Sequence, residues 1–171
     1  MISATSYCNP ARPRRDFHIV PAPTARYAIC VLEDRQSRLL FVKRSLNATL
    51  GGGKWGFPGG HIELNESASE CALRELDEEI GPHHELVPIN VLGPVRDIFY
   101  GGNFEINLFH YRWSSGTVEL NHEHSEYAWV TANDFKFLEV MLGIEEDIVL
   151  LGIWPPEIFD PARLSNRRRA I

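Results

Sequence analysis

Short apolar runs rich in strand-forming residues alternate with polar turns along most of the chain. Residues 25–32 (ARYAICVL) predict a core strand, and residues 39–43 (LLFVK) predict a second strand that pairs with it as a hairpin across the polar turn at 33–37. Residues 104–113 (FEINLFHYRW) predict a third. We further predict loop and strand over 85–96, a strand starting at 118–120, and closing helices at 132–142 and 144–153.

A helical pattern follows the turn Gly59-Gly60. Ala72, Leu76 and Ile80 fall on one stripe at about 100° per residue, which predicts the side that packs on the sheet. Asn65 or a neighbour is the expected cap, and Gly81 is the expected end of the helix. The sequence therefore predicts a loop–helix–loop unit preceded by strands.

Three carboxylates on this helix suggest chemistry. Glu75, Glu78 and Glu79 stand at i, i+3 and i+4, so they lie on neighbouring parts of one face. Their mutual repulsion is relieved by a hard cation such as Mg²⁺, which prefers oxygen ligands. The alternative for an acidic cluster by itself is a solvated helix face.

The spacing around these carboxylates resembles the Nudix box of the Nudix hydrolases, Gx5Ex7REUxEExGU, where U is a bulky aliphatic residue. Gly60 is followed at these offsets by Glu66 and by the run from Arg74 to Gly81 (RELDEEIG). Pro82 stands where an aliphatic residue is usual, just past the helix end, where proline is tolerated. The segment WGFP before Gly59 also resembles the family's lead-in to the box.

The resemblance implies an α/β fold, the Nudix α/β/α sandwich with a mixed β-sheet; the pattern alone supports only an α+β or α/β domain. It also implies Mg²⁺ or Mn²⁺ held by Gly59 (through its carbonyl), Glu75, Glu78, Glu79 and Glu123. Arg74 is expected to orient the site by pairing with Glu66 or Glu75, and Gly60 to shape the turn.

The implied reaction is hydrolysis of a nucleoside diphosphate linked to another group, with water attacking phosphorus. The candidate general bases are Glu75, Glu123 and Glu79, in that order. Nucleoside triphosphates, nucleotide sugars, ADP-ribose and dinucleotide polyphosphates all remain open as substrates, with a slight preference for nucleoside di- or triphosphates.

The segment at 121–130 (NHEHSEYAWV) is the second informative one. In the family, a loop before a strand containing tryptophan often carries a further acidic group, and Glu123 is preferred here over Glu126. His124 is a candidate base for a branch of the GDP-mannose type that attacks carbon, although a lone loop histidine is more often a bystander.

Substrate contacts are expected outside the box. Residues 44–54 (RSLNATLGGGK) predict a mobile loop, and Arg44 and Lys54 at its ends are candidates for contact with a substrate phosphate. Tyr100 or Phe104 could stack on a base, although core or rim packing is the alternative for both.

Composition narrows the class of protein. The 171 residues fit one domain, which we place at 21–153 between an N-terminal extension (1–20, with an edge strand at 17–20) and a C-terminal tail (154–171). A net charge of -6 argues against nucleic acid as the main partner, and we expect a small nucleotide substrate and a possible homodimer. The three cysteines lack metal-binding spacing, and the chain shows no signal peptide or long apolar run. A cytoplasmic location is the expectation.

The sequence argues against two further functions. A non-catalytic nucleotide-binding regulatory module would usually have lost glutamates of the box, and all are present here. An isopentenyl diphosphate isomerase, a related fold, is disfavoured because no suitable cysteine motif is found.

Overall fold

The computed structural model describes residues 22–97, 99–164 and 169–170. Within them the strands and α-helices are β1 (Ala25–Glu33), β2 (Leu39–Arg44), β3 (Trp55–Gly56), β4 (Gly59–His61), α1 (Ala68–Ile80), β5 (His84–Asp97), β6 (Phe104–Gly116), β7 (His124–Val130), α2 (Ile144–Leu150) and β8 (Arg169–Ala170). The expected strand at 17–20 lies outside this description.

These strands form one mixed sheet. Its order is β3-β2-β1-β6-β5-β8, with β4 paired to β1 and β7 paired to β2. β1 pairs in parallel with β6 along its whole length, from Ala25 opposite Phe104 to Glu33 opposite Arg112, whereas the other pairings are antiparallel. β1 therefore lies at the centre of the sheet, which explains its nearly continuous apolar sequence.

Both faces of the sheet are covered. Alternate residues of β1, such as Cys30 and Leu32, pack with Ala72, Leu76 and Ile80 of α1. The expected helical stripe is therefore confirmed. On the other face, one core cluster gathers Val31, Phe41, Leu108, Phe135, Ile148 and Trp154. The chain thus has the predicted three-layer α/β/α arrangement.

Two predicted elements are wrong. Residues 118–120 form no strand; instead, the Glu119 amide bonds to the carbonyl of Ile80, which holds this segment against the end of α1. Residues 132–142 are not a helix but a short 3₁₀ turn, Phe135–Phe137, followed by an extended segment in which Val140 bridges to Trp55. The backbone bridge between Val140 and Trp55 competes with helix formation in this segment. The sequence pattern of the segment gives no sign of that bridge.

The last predicted helix is shorter than expected. α2 ends at Leu150 rather than at residue 153, and Gly152, at φ 68°, lies just beyond it. Trp154 and Phe159 then fold back into the core, where both contact Phe135.

No helix among the described residues is long and apolar enough to span a membrane.

Candidate active site

The start of α1 is fixed by its N-cap. Ser67, rather than Asn65, is the N-cap: its hydroxyl accepts from the Glu70 amide while the Glu70 carboxylate accepts from the Ser67 amide. Asn65 instead has a positive φ of 68° within the preceding loop. These reciprocal hydrogen bonds form a capping box, which fixes the start of α1 and hence the direction in which its glutamates project.

Two glycines allow β4 to pass close to its neighbours. Gly59 has φ 146°, and a Cβ there would overlap the Ala28 carbonyl of the adjacent strand. A Cβ at Gly60 would overlap the Glu75 carboxylate. The first glycine thus lets β4 pair closely with β1, and the second leaves room for the Glu75 carboxylate beside the turn.

The acidic groups border one cavity of about 810 Å³. Its lining includes Gly59, Glu75, Glu78, Glu79 and Glu123, the residues predicted to hold a metal ion. A volume of this size suits a nucleotide-sized ligand. Glu126, the alternative to Glu123, instead pairs with Lys43 at 2.8 Å and does not line the cavity.

Arg74 donates hydrogen bonds to three carboxylates, those of Glu66, Glu75 and Glu78. Its Nε donates to Glu66 Oε1 at 2.8 Å, and its Nη1 donates to Glu75 Oε1 at 2.8 Å and to Glu78 Oε2 at 3.2 Å. These contacts, with a backbone bond from the Glu63 amide, lower the pKa of Glu66 to about 2. They also raise the pKa of Arg74. Arg74 thus ties the loop before α1 to the acidic face of the helix.

Glu79 is the most deeply buried of these carboxylates. Its Oε2 accepts a 2.9 Å hydrogen bond from the Gly59 amide. Burial raises the pKa of Glu79 to about 8, and the neighbouring Glu75 and Glu123 carboxylates contribute to this rise. Burial likewise raises the pKa of Glu75, against the opposing effect of Arg74. Burial therefore disfavours the ionised form of Glu79, which a cation beside it would stabilise.

Among the described residues, no three histidine, cysteine or acidic side chains are already gathered at metal-binding distances. Glu75 and Glu78 turn toward Arg74, and Glu79 turns toward the Gly59 amide. The oxygen donors themselves, carboxylates with one backbone carbonyl, are those that Mg²⁺ and Mn²⁺ prefer.

Arg44, Lys54 and Tyr100, predicted to contact substrate, and His124, a candidate base, separate into two groups. Arg44 and Tyr100 line the cavity, whereas Lys54 and His124 do not. Lys54 pairs with Glu139 at 3.3 Å. His124 is buried, with its Nε2 3.9 Å from Glu79 Oε1, and burial together with the charge of Arg44 lowers its pKa to about 4. His124 thus lies behind Glu79 and does not face the cavity.

The cavity has a second, apolar part that the sequence analysis did not assign to the site. Tyr27, Phe104 and Ile144 line it, together with Asp97 and Asp147, which are both buried. Asp97 ends β5 and Asp147 lies in α2, so only the three-dimensional arrangement brings them together. No sequence pattern near Asp97 or Asp147 indicated that the residue lines the cavity.

Comparison with known proteins identifies the family of this chain. The NUDIX domain profile matches residues 23–149. A curated relative, the nucleoside triphosphatase NudI of Escherichia coli, is 25% identical over 137 residues, covering 75% of this chain and 97% of that protein.

Solved structures show the same fold. The MutT protein from Methanosarcina mazei Go1 superposes with a TM-score of 0.64 and 26% identity, covering 77% of this chain and 94% of that one. The NUDIX domain of Shewanella oneidensis NrtR, solved with ADP ribose, superposes with a TM-score of 0.61 and 20% identity, covering 81% and 92% of the two chains. With a family profile over most of its length and a complete motif at the cavity, this chain belongs to the Nudix hydrolase family.

Proposed function

We propose that this protein is a metal-dependent hydrolase of nucleoside triphosphates or similar nucleoside diphosphate derivatives, in which water attacks phosphorus. Membership of the family establishes a Nudix pyrophosphohydrolase acting on nucleoside diphosphate derivatives. The observation that carries the finer proposal is the convergence of Glu75, Glu78, Glu79 and Glu123 on one end of a nucleotide-sized cavity. The similarity to a nucleoside triphosphatase supports the substrate class.

Nudix hydrolases generally use a divalent metal ion, and the donor set at the acidic end suits one. We assign Mg²⁺ or Mn²⁺ to Glu75, Glu78, Glu79, Glu123 and the Gly59 carbonyl. When bound, such an ion neutralises the diphosphate and makes water a stronger nucleophile. The raised pKa of the buried Glu79 supports this assignment, because an uncompensated carboxylate gains from a cation beside it.

The remaining chemistry belongs to the side chains. Glu75, Glu123 and Glu79, in that order, are our candidates for accepting the proton of the attacking water, and all three border the cavity. Arg74 orients Glu75 and Glu78 and does not itself line the cavity. It therefore acts as a positioning residue.

Arg44 is our candidate for binding a substrate phosphate. It lines the cavity, and its Nε is buried without a hydrogen-bond partner among the described residues. A buried N–H donor without a partner is costly unless a ligand completes it. Tyr100 borders the same cavity but uses its hydroxyl to accept from the Leu142 amide, so it is held at the rim.

The position of His124 weighs against attack at carbon with this residue as the base. Its side chain is about 1% exposed and lies behind Glu79 rather than on the cavity. A general base must reach the proton that it removes, directly or through one water. We therefore assign His124 a role in packing beside Glu79.

The test is turnover of nucleoside triphosphates, nucleotide sugars and ADP-ribose with Mg²⁺ and Mn²⁺, with Glu78→Gln as the inactive control. We expect metal-dependent release of a nucleotide that the substitution abolishes. Hydrolysis in ¹⁸O water should place the label on a phosphate, whereas label on the sugar would establish attack at carbon. Tight nucleotide binding without turnover would instead establish a regulatory module.

A further inference from the structure

The cavity offers few positive charges to a polyphosphate. Among the described residues that border it, Arg44 is the only lysine or arginine, whereas seven acidic side chains border the same space. Phosphate oxygens accept hydrogen bonds, so further N–H donors in the cavity would stabilise a bound polyphosphate. Two histidines that the sequence analysis assigned no role, His61 and His122, also line the cavity.

Of these two histidines, His61 has a backbone that is held on two sides. It lies in β4 opposite Tyr27 of β1. Its carbonyl accepts a hydrogen bond from Arg74 Nη2 at 3.0 Å and another from the Cys71 thiol at 3.2 Å. The neighbouring strand and α1 therefore fix the point from which the His61 side chain projects.

The ring of His61 is oriented by packing and not by hydrogen bonds. It lies against the Tyr27 ring with centroids 4.2 Å apart, and Tyr27 in turn packs edge to face on Phe104 at 5.6 Å. No described residue forms a hydrogen bond with either ring nitrogen of His61. A neutral imidazole carries one N–H donor. His61 thus presents an exposed donor to the cavity from a ring with a defined position.

This ring lies next to the acidic end of the cavity. Gly59 and His61 are two residues apart on the same side of β4, which is about 7 Å along a strand. Arg44 is also close, because its charge opposes the effect of burial, which raises the pKa of Tyr27. Arg44 and His61 therefore both lie near the Tyr27 side chain, beside the place where the metal ion is assigned.

We propose that His61 is a substrate-binding residue whose imidazole N–H donates a hydrogen bond to a phosphate oxygen of the bound nucleotide. The proposal rests on the proposed function, since it concerns the same substrate. Tyr27 acts as a positioning residue that holds the ring. A ring that is already oriented loses little conformational freedom on binding, and hydrogen bonds to charged acceptors are the stronger ones.

The first test separates the N–H donor of His61 from the shape of its ring. Phenylalanine keeps a ring that can pack on Tyr27 but has no donor, whereas asparagine and glutamine keep an N–H donor without the ring. The probes are the α,β-methylene analogues of ATP, GTP, CTP and UTP in Mg²⁺, with binding measured by calorimetry. We expect His61→Phe to bind the tightest of these about 10- to 100-fold more weakly than the parent protein does. His61→Asn or His61→Gln should recover much of that loss.

Two results of this test would overturn the proposal. Binding by His61→Phe that equals that of the parent protein would show that the N–H donor is not used. Equal losses in the phenylalanine, asparagine and glutamine variants would show a disturbance of β4 instead. His83→Phe, at an exposed position outside the cavity, is the matched control and should bind the analogues as the parent protein does.

Binding of Mn²⁺ without nucleotide locates the effect. His61 is not among the assigned metal ligands, so His61→Phe should bind Mn²⁺ with the affinity of the parent protein. A loss of Mn²⁺ affinity as large as the loss of nucleotide affinity would place the effect at the metal site, and it would overturn a direct contact with substrate.

Turnover separates this proposal from the broader one. Metal-dependent hydrolysis of triphosphates by the parent protein, with unchanged nucleotide binding in His61→Phe, refutes the role of His61 and leaves the hydrolase proposal standing. Weaker binding in His61→Phe, with recovery in the asparagine or glutamine variant but no turnover by the parent protein, supports the role of His61 and refutes the hydrolase. A parent protein that binds none of the analogues and hydrolyses no triphosphate refutes both.

Discussion

Arg74 and Glu66 are joined by two hydrogen bonds, from Nε to Oε1 at 2.8 Å and from Nη2 to Oε2 at 3.1 Å. The same guanidinium also reaches Glu75 and the His61 carbonyl. The Arg74 side chain thus holds the preceding loop, strand β4 and Glu75, a candidate general base, in fixed positions relative to one another. A planar fork with five donors can do this, whereas an ammonium group cannot.

Arg74→Lys should therefore reduce catalysis while the protein stays folded. We expect kcat/KM to fall about 10- to 100-fold, the usual effect of losing a group that orients metal ligands. The measurement is steady-state kinetics beside apparent affinity for Mn²⁺. Arg38→Lys is the matched control, because Arg38 makes a similar fork with Asp34 away from the cavity. Equal losses in both variants would show a general stability effect.

Gly60→Ala should disturb Glu75 directly. The added methyl group would overlap the Glu75 carboxylate, so that carboxylate must move. A displacement of about 1 Å at a reacting group can reduce the rate about 100-fold. We expect a loss of this order with weaker binding of Mn²⁺, and an unchanged rate would contradict the assigned role of Glu75.

Glu79→Gln should remove most metal-dependent activity. The neutral amide keeps the shape of the side chain but supplies a weaker ligand, and we expect at least about a 100-fold loss of kcat. The control is Asp77→Asn on the same helix, whose carboxylate is exposed and does not line the cavity. Activity that persists in Glu79→Gln would require a different metal-binding set.

Phe135→Ala should strongly destabilise the fold. Phe135 is 4% exposed and packs against Phe41, Trp154 and Phe159 with centroids 5.3–5.7 Å apart. We expect the free energy of unfolding to fall by about 3–5 kcal/mol in urea titrations. Phe137→Ala, two residues away and 78% exposed, should change it by less than about 0.5 kcal/mol. Similar effects at both positions would contradict the buried aromatic cluster.

His110 should make stability depend on pH. Burial lowers the pKa of His110, although its Nε2 lies 2.9 Å from Glu33 Oε2. The folded protein therefore binds this proton less readily than the unfolded chain, in which histidine titrates near about pH 6.5. The contribution is fully present above that pH and is lost as the pH falls below it.

We thus expect the parent protein to lose more unfolding free energy between pH 7.5 and 5.5 than His110→Gln does. Urea titrations at the two pH values measure this difference. His83→Gln, at an exposed position, should keep the pH dependence of the parent. If His110→Gln shows the same pH dependence as the parent protein, the buried imidazole does not contribute to the pH dependence of stability.

The parts of the structure that the sequence predicted are local ones. The apolar stripe of α1 follows from spacing within about twenty residues, and the structure confirms it. The hydrogen bonds from Arg74 to Glu66 and Glu75 join residues within the same short span. The cap was expected at Asn65 or a neighbour. It is Ser67, because only this residue forms the reciprocal hydrogen bonds with Glu70 that make the capping box.

The parts that were missed depend on contacts between distant residues. The segment 132–142 has a helical pattern, but backbone bonds between Trp55 and both Glu139 and Met141 hold its end in an extended form. Asp97 and Asp147 have no motif around them, and they share a cavity only because β5 and α2 meet there. Lys54 lies close in sequence to residues that line the cavity, but its ion pair with Glu139 holds its side chain away from the cavity.

The parallel pairing of β1 with β6 has a consequence for synthesis of the chain. Each residue of β1 meets a partner 79 positions later, from Ala25 opposite Phe104 onward. At 5–20 residues per second, the ribosome takes about 4–16 s to make the intervening segment. Until then the central strand has one open edge and Tyr27 lacks Phe104 beside it. We therefore expect the part of the cavity lined by Tyr27 and Phe104 to be completed only after most of the chain has emerged, well after the Arg74–Glu66 unit can form.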